Sequence, residues 1–211
     1  MKEIEYVKPG EIERRSFEII AEELRSRGIT LPEEQDLITR RVIHTSADFD
    51  YASTLTYSEG AVAKAKELIL GGADIVTDTN MAYTGINKKI LARFGGEARC
   101  FMATEEAAKL AKERGCTRAT ICMEMGARIE KPVIFAVGNA PTALIRLYEM
   151  IQEGSYRPAF IIGVPVGFVN VEASKELILE TDVPYIVNKG RKGGSNVAAA
   201  ICNALLYELA R

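Results

Sequence analysis

Apolar residues near the start of the chain recur at helical spacing. In PGEIERRSFEIIAEELRSRG, Ile12, Phe17, Ile20 and Leu24 share a face and charges fill the other, so the segment reads as an amphipathic helix ended by Gly28. A second helix is expected after Pro32, in PEEQDLITRRVI, whose acidic first turn suits the positive end of the helix dipole. From there short apolar runs alternate with helical patterns. DYASTLTYS, rich in β-branched and aromatic residues, reads as a strand, EGAVAKAKELILGG as a helix closed by glycine, and ADIVTDT as an apolar run that breaks into polar residues. NKKILARFGG reads as a helix, ARCFMA as a short strand, and TEEAAKLAKERG as a helix with Thr104 as its cap and Gly115 as its stop. TRATICMEMGARIE fits either period. PVIFAVGN, PAFIIGVPVGF and VPYIVNKG read as strands, APTALIRLYEMIQEG and VEASKELILET as the helices between them, and SNVAAAICNALLYELAR as a closing helix.

Continuous apolar strands separated by helices are what a sheet covered on both faces requires. The pattern predicts an α/β fold, a three-layer α/β/α arrangement around a mostly parallel, doubly wound sheet of about five strands. With 211 residues, no low-complexity linker and no repeat, residues 1–211 read as a single domain. In such folds ligands sit beyond the carboxyl ends of the strands. The segments expected there are TDTNMAYTG, VGNAPT, VPVGFVN and VNKGRKGGSN, all dense in Gly, Asn, Thr or Pro. Their convergence would make a wide, donor-rich cleft suited to a large polar ligand.

Charge removes several function classes. The 27 Lys and Arg nearly cancel 29 Asp and Glu, and a net charge of -2 gives no general attraction to nucleic acid or an anionic membrane. No stretch approaches the roughly 20 apolar residues of a membrane span, and the charged opening MKEIEYVKPGEIERR lacks the apolar region of a secretory signal. The 4 cysteines, Cys100, Cys116, Cys122 and Cys202, are scattered, and with 1 histidine they make no zinc pattern; reduced thiols in a cytoplasmic protein are expected.

His44, in RRVIHTSADFDYA, is the natural candidate for general acid–base work, although the residues alone favour an inert, hydrogen-bonded histidine at a helix end. Arg40 and Arg41 before it read as an anion site or a solvated face. Asp48 and Asp50 lack an obvious third ligand, which favours turn roles over metal binding. The Gly-rich segment 188–196, with Arg191, Lys192, Gly193, Gly194 and Ser195 before the last helix, could hold a phosphate or carboxylate, although it matches no nucleotide fingerprint. That gives a second functional class: a binding protein for a phosphorylated or polycarboxylate small molecule. No nucleophile elbow is present.

Several separated motifs resemble one family. RVIHTSADFDYASTL, VTDTNMAYTGI, FAVGNAPTAL, GVPVGFVNVEASKE and GRKGGSNVAAAICNALL, with PGEIERRSFEII near the start, are together similar to precorrin-8X methylmutases, also called cobalt-precorrin-8 methylmutases, from about Pro9 to Leu206. The resemblance implies an isomerase of cobalamin biosynthesis that moves a methyl group from C-11 to C-12 of a corrin macrocycle, giving hydrogenobyrinate or, with cobalt, cobyrinate. It implies a three-layer α/β/α homodimer with a tetrapyrrole substrate, no cofactor and no resident metal. His44 falls on the family's catalytic histidine, as proton donor and then acceptor. Ser16 matches a substrate-contacting serine. Its neighbour Arg15, Thr45 beside the histidine, Thr79, Asn80 and Met81 on their loop, and Arg128 and Arg191 as carboxylate partners complete the expected substrate site.

Overall fold

A computed structural model describes residues 4–210. Residues 1–3 of the charged opening stretch and Arg211, the last residue of the expected closing helix, lie outside the described residues. The 6 strands β1 (Leu55–Tyr57), β2 (Asp74–Thr77), β3 (Ala98–Cys100), β4 (Val133–Val137), β5 (Phe160–Gly163) and β6 (Tyr185–Asn188) form one sheet in the order β1-β6-β5-β4-β2-β3. All neighbours are parallel except β1, which runs antiparallel along β6 at one edge.

β2, β4 and β5 are buried along their whole length, which only a sheet covered on both faces permits. Alternate side chains feed two cores. Ile134, Ala136, Ile162 and Ile186 point into the first, and Val133, Phe135, Ile161 and Val187 into the second. The first core is covered by α1 (Ile12–Ser26), α2 (Glu33–Ser46), the short α3 (Tyr51–Thr54), α4 (Ala61–Leu70), α5 (Asn80–Gly85), α6 (Lys88–Arg93) and α11 (Ser195–Leu209). The second is covered by α7 (Glu105–Arg114), α8 (Arg118–Ala127), α9 (Pro141–Gln152) and α10 (Val171–Leu179). The architecture is the expected three-layer α/β/α. Among the described residues no helix is long and apolar enough to cross a membrane.

Two local expectations are corrected and one open segment is resolved. DYASTLTYS is not one strand: the backbone N–H groups of Ser53 and Thr54 and both their hydroxyls donate to the Asp50 carbonyl, winding Tyr51–Thr54 into a turn of helix before β1. Serine and threonine make such back-bonds easily, and here they override β propensity. TDTNMAYTG, expected as a loop, contains α5, because the Thr79 hydroxyl accepts the Ala82 N–H and caps it. The undecided segment 117–130 is helical as α8, capped in the same way by Thr117.

The winding of the sheet reverses between β2 and β4, and there the loops are tied by a buried carboxylate. Asp78, fully buried, accepts the backbone N–H groups of Gly138, Asn139 and Ala140 at 2.8, 2.8 and 2.6 Å. Burial pushes its carboxyl above the ordinary range, and the three amides pull it partly back. Asp78→Ala strands three donors, and at about 1–3 kcal/mol for each unsatisfied buried group the fold is expected to lose about 3 kcal/mol or more. The midpoint of urea unfolding measures this; an unchanged midpoint would mean that water replaces the carboxylate at no cost.

Candidate active site around His44

α2 turns Ile38, Val42 and Ile43 into the core and leaves His44 and Thr45 on its outer side. His44 stands in the last turn, where the helix dipole favours positive charge. Its ring lies against Phe17 of α1, with centroids 5.4 Å apart. One turn back, the Arg41 guanidinium sits between Phe17 and Tyr207, 5.0 and 5.1 Å from their ring centres, and Nη1 donates to Glu13 at 2.6 Å. A partly dehydrated cation on two aromatic faces is held more firmly than a surface arginine.

His44, Arg41 and Thr45 border a cavity of about 260 Å³ whose other wall is α11. Ala199 and Ala200 form its floor, and Asn196, Asn203 and Tyr207 its polar side. Small residues bring the backbones close: a Cβ on Gly85, at the end of α5, would lie 2.8 Å from the Ala199 Cβ. Asn203 is oriented on both sides, its amide nitrogen donating to the Gly85 carbonyl and its oxygen accepting the Asn87 N–H, each at 2.8 Å. A second cavity of about 500 Å³ lies between α1 and α2, with Phe17, Arg40 and Arg41 in its wall, so Arg41 borders both spaces, with Phe17 on one and Tyr207 on the other. Arg40 pairs with Asp36, and burial makes its guanidinium easier to deprotonate than an ordinary arginine. The Nε atoms of Arg40 and Arg41 are buried and without a hydrogen-bond partner among the described residues.

The structure brings some expected site residues together and separates others. Thr45 lines the His44 cavity. Arg15 and Ser16 lie on α1 beside Phe17, Arg15 paired with Glu5 at 2.8 Å and the Ser16 hydroxyl turned to the Ile12 carbonyl. Thr79, at the start of α5, shares a 2.7 Å hydroxyl contact with Ser195, while Asn80 and Met81 are exposed. Arg191 pairs with Glu172 and lies over the exposed Phe168 ring, on the carboxyl edge of the sheet rather than in the cavity. Arg128 is not brought to the site. It ends α8, whose buried side belongs to the second core, and it pairs with Glu106 across the sheet from His44. Spacing in sequence carries no information on which face a helix covers. Arg41, Asn203 and Tyr207 were outside the expected set. Their signal was present: Asn196, Asn203 and Tyr207 recur at intervals of 7 and 4 along an otherwise apolar closing helix, a polar stripe on one face.

The Gly-rich loop is engaged within the protein. Lys192 Nζ donates to Asp48 and Asp50 at 2.6 Å each, so the two carboxylates neutralise the cation expected to attract an anion. Beneath the loop, fully buried Lys175 donates to the carbonyls of Gly190 and Lys192 at 2.7 and 2.8 Å. Burial brings Lys175 from its ordinary 10.5 down to about 8, against an upward pull from Glu172. Below that pH the fold retains an ammonium that the unfolded chain would keep in water. Above it the folded state sheds the proton before the unfolded state does, so stability rises with pH up to the ordinary lysine range. The stability of the native sequence relative to Lys175→Met is expected to climb between about pH 7.5 and about pH 10 in urea unfolding. A flat difference would show that folded and unfolded chains bind the same proton there, so that burial does not make the Lys175 ammonium easier to deprotonate.

Comparison with known proteins agrees with this architecture. The family model described as Precorrin-8X methylmutase matches residues 11–208. The chain is 42% identical over 208 residues to the cobalt-precorrin-8 methylmutase of Salmonella typhimurium (strain LT2), covering 95% of this chain and 96% of the relative. It is 41% identical over 199 residues to the enzyme of that name from Priestia megaterium, covering 94% and 88%. The crystal structure of precorrin-8x methyl mutase from Thermus thermophilus superposes with a TM-score of 0.84 at 37% identity, over 95% of this chain and 98% of that one.

Proposed function

The chain belongs to the precorrin-8X methylmutase family, and from that membership we propose that it moves a methyl group from C-11 to C-12 of a corrin macrocycle, with His44 as the proton-transferring group. The family places it among the isomerases of cobalamin biosynthesis. The substrate is precorrin-8X or its cobalt form, and the products are hydrogenobyrinate or cobyrinate.

The observation that carries the reading is the setting of His44. Its ring is exposed at a cavity mouth, steadied by Phe17, and makes no hydrogen bond to another described residue. Both ring nitrogens therefore remain available to a ligand. An imidazolium there donates its proton to a ring nitrogen of the tetrapyrrole and becomes neutral imidazole. The conjugated system becomes electron-poor, which lowers the barrier to a sigmatropic shift, and the imidazole recovers the proton from the product. Such transfer contributes about 10²–10⁴-fold.

The substrate is a broad ring fringed with carboxylates. Arg41, Thr45, Asn196 and Asn203 supply donors around the His44 cavity, and Ser16 and Arg15 stand on the adjoining helix. We extend the substrate site to Thr79, Asn80 and Met81 and, on the exposed edge, Arg191. A cavity of about 260 Å³ falls below the usual range of about 300–1,000 Å³ for sites that enclose a ligand. The ring therefore rests across an open surface. A homodimer would cover it, and the exposed Ile12 and Ile19 on α1 give a second copy apolar surface to bury.

His44→Ala is expected to retain binding, seen as an absorption change on mixing with hydrogenobyrinic acid, while methyl transfer falls at least about 10²-fold. Full turnover by this variant would remove the proton-transfer role. If the native protein leaves the absorption spectrum of the ligand unchanged, the substrate assignment fails.

A further inference from the structure

The loop from Lys189 to Gly194 is held from below by side chains that accept or donate out of sight of the cavity. The amide nitrogen of Asn188 reaches the carbonyls of Lys189 and Lys192 at 3.1 and 2.9 Å, and its oxygen accepts the Thr54 hydroxyl at 2.7 Å. The Gly194 N–H donates to the Val164 carbonyl at 2.9 Å, and a Cβ on Gly193 would lie 2.1 Å from that same oxygen. Lys175 completes this underside, its ammonium turning the Gly190 and Lys192 carbonyls inward.

From the top of the loop the Lys192 side chain crosses to the segment that follows α2. That segment carries a constraint of its own: Ala47, which ends the helix, adopts the left-handed conformation at φ 53° without being glycine. Such a conformation persists only where the surroundings determine it. In the next residue, the Asp48 carboxylate accepts the Asp50 N–H at 3.0 Å, and the carboxylates of Asp48 and Asp50 both accept Lys192 Nζ. His44 lies three residues before Ala47, in the turn this clamp secures.

We propose that Lys175 is a positioning residue for His44: by holding the carbonyls of Gly190 and Lys192 it keeps the 189–194 loop down, so that Lys192 clamps Asp48 and Asp50 and fixes the end of α2. Lys175 is fully buried beneath the loop, makes no ion pair with a carboxylate among the described residues and spends its donors on backbone carbonyls. An ammonium kept in such a place is costly to folding, and a methionine of similar length fills the volume without it. Its use lies in the geometry of the loop. This inference rests on the catalytic role proposed for His44.

The test is kinetic. Lys175→Met and Lys192→Met are each expected to lower kcat about tenfold to a hundredfold, the scale of a misplaced catalytic group, with KM little changed. The double variant is expected to be no slower than the slower single one, because both remove one brace, and Lys192→Arg should restore most of the rate. Amide hydrogen exchange at residues 44–50 should quicken equally in both methionine variants, while the melting temperature of Lys175→Met stays near or above the native value. Full kcat in Lys175→Met, losses that multiply in the double variant, or unchanged exchange at residues 44–50 overturns the proposal. If Lys175→Met does not fold, Lys192→Met and Asp48→Asn/Asp50→Asn carry the same cycle. A native protein that turns over, with His44→Ala inactive and both methionine variants at full rate, sinks this inference alone. A native protein without turnover sinks the reading beneath it.

Discussion

Asp78 stands where the winding of the sheet changes direction, and its carboxylate takes the amides of Gly138, Asn139 and Ala140, the turn that leads from β4 into α9. In doubly wound proteins the turn from strand to helix at such a point is a customary seat of a bound anion. Here a side chain of the protein takes that place. The loops after β2 and β4 are thereby tied together, Thr79 meets Ser195, and the start of α11 lies close to the end of β4. Gly138 makes the closeness of that junction necessary: a Cβ there would fall 2.7 Å from the Ser195 Cα. The His44 cavity lies on the helical layer above, between α2, α5 and α11.

On the proposed reading, a protein of net charge -2 meets a polyacid through a few placed donors and not through bulk charge. Many cations are paired with neighbours on the outside, as in Arg14 with Glu18 and Arg157 with Asp182, where they act as surface structure worth little to binding. Arg41 differs because two aromatic rings and a buried Nε remove it from water. A donor so placed costs less to desolvate again when a carboxylate arrives. Neutral amides on α11 add directionality without repelling or attracting at long range.

Much of the fold was legible because the strands are unbroken apolar runs and the helices carry caps and glycine stops at the right places. β1 was obscured by serine and threonine hydroxyls that bond backward, a competition that depends on a single carbonyl, that of Asp50. The seal made by Asp78 left no trace in the sequence, since backbone amides have no residue type to read. Of the candidate site, the sequence singled out His44 and Thr45, which share one cavity, and also Arg128, which lies across the sheet from them. Arg41 reads as a solvated charge until Phe17 and Tyr207, one from each end of the chain, are folded against it.

The division of labour between the two helical layers has a practical side. Every group gathered around His44 belongs to the layer of α1, α2, α5 and α11, and α7 to α10 contribute only cover for the opposite core. A tether, dye or fused carrier attached along α7 or α9 would thus leave the His44 cavity unobstructed. Immobilisation chemistry aimed at that back layer would orient every molecule on a support with that cavity outward.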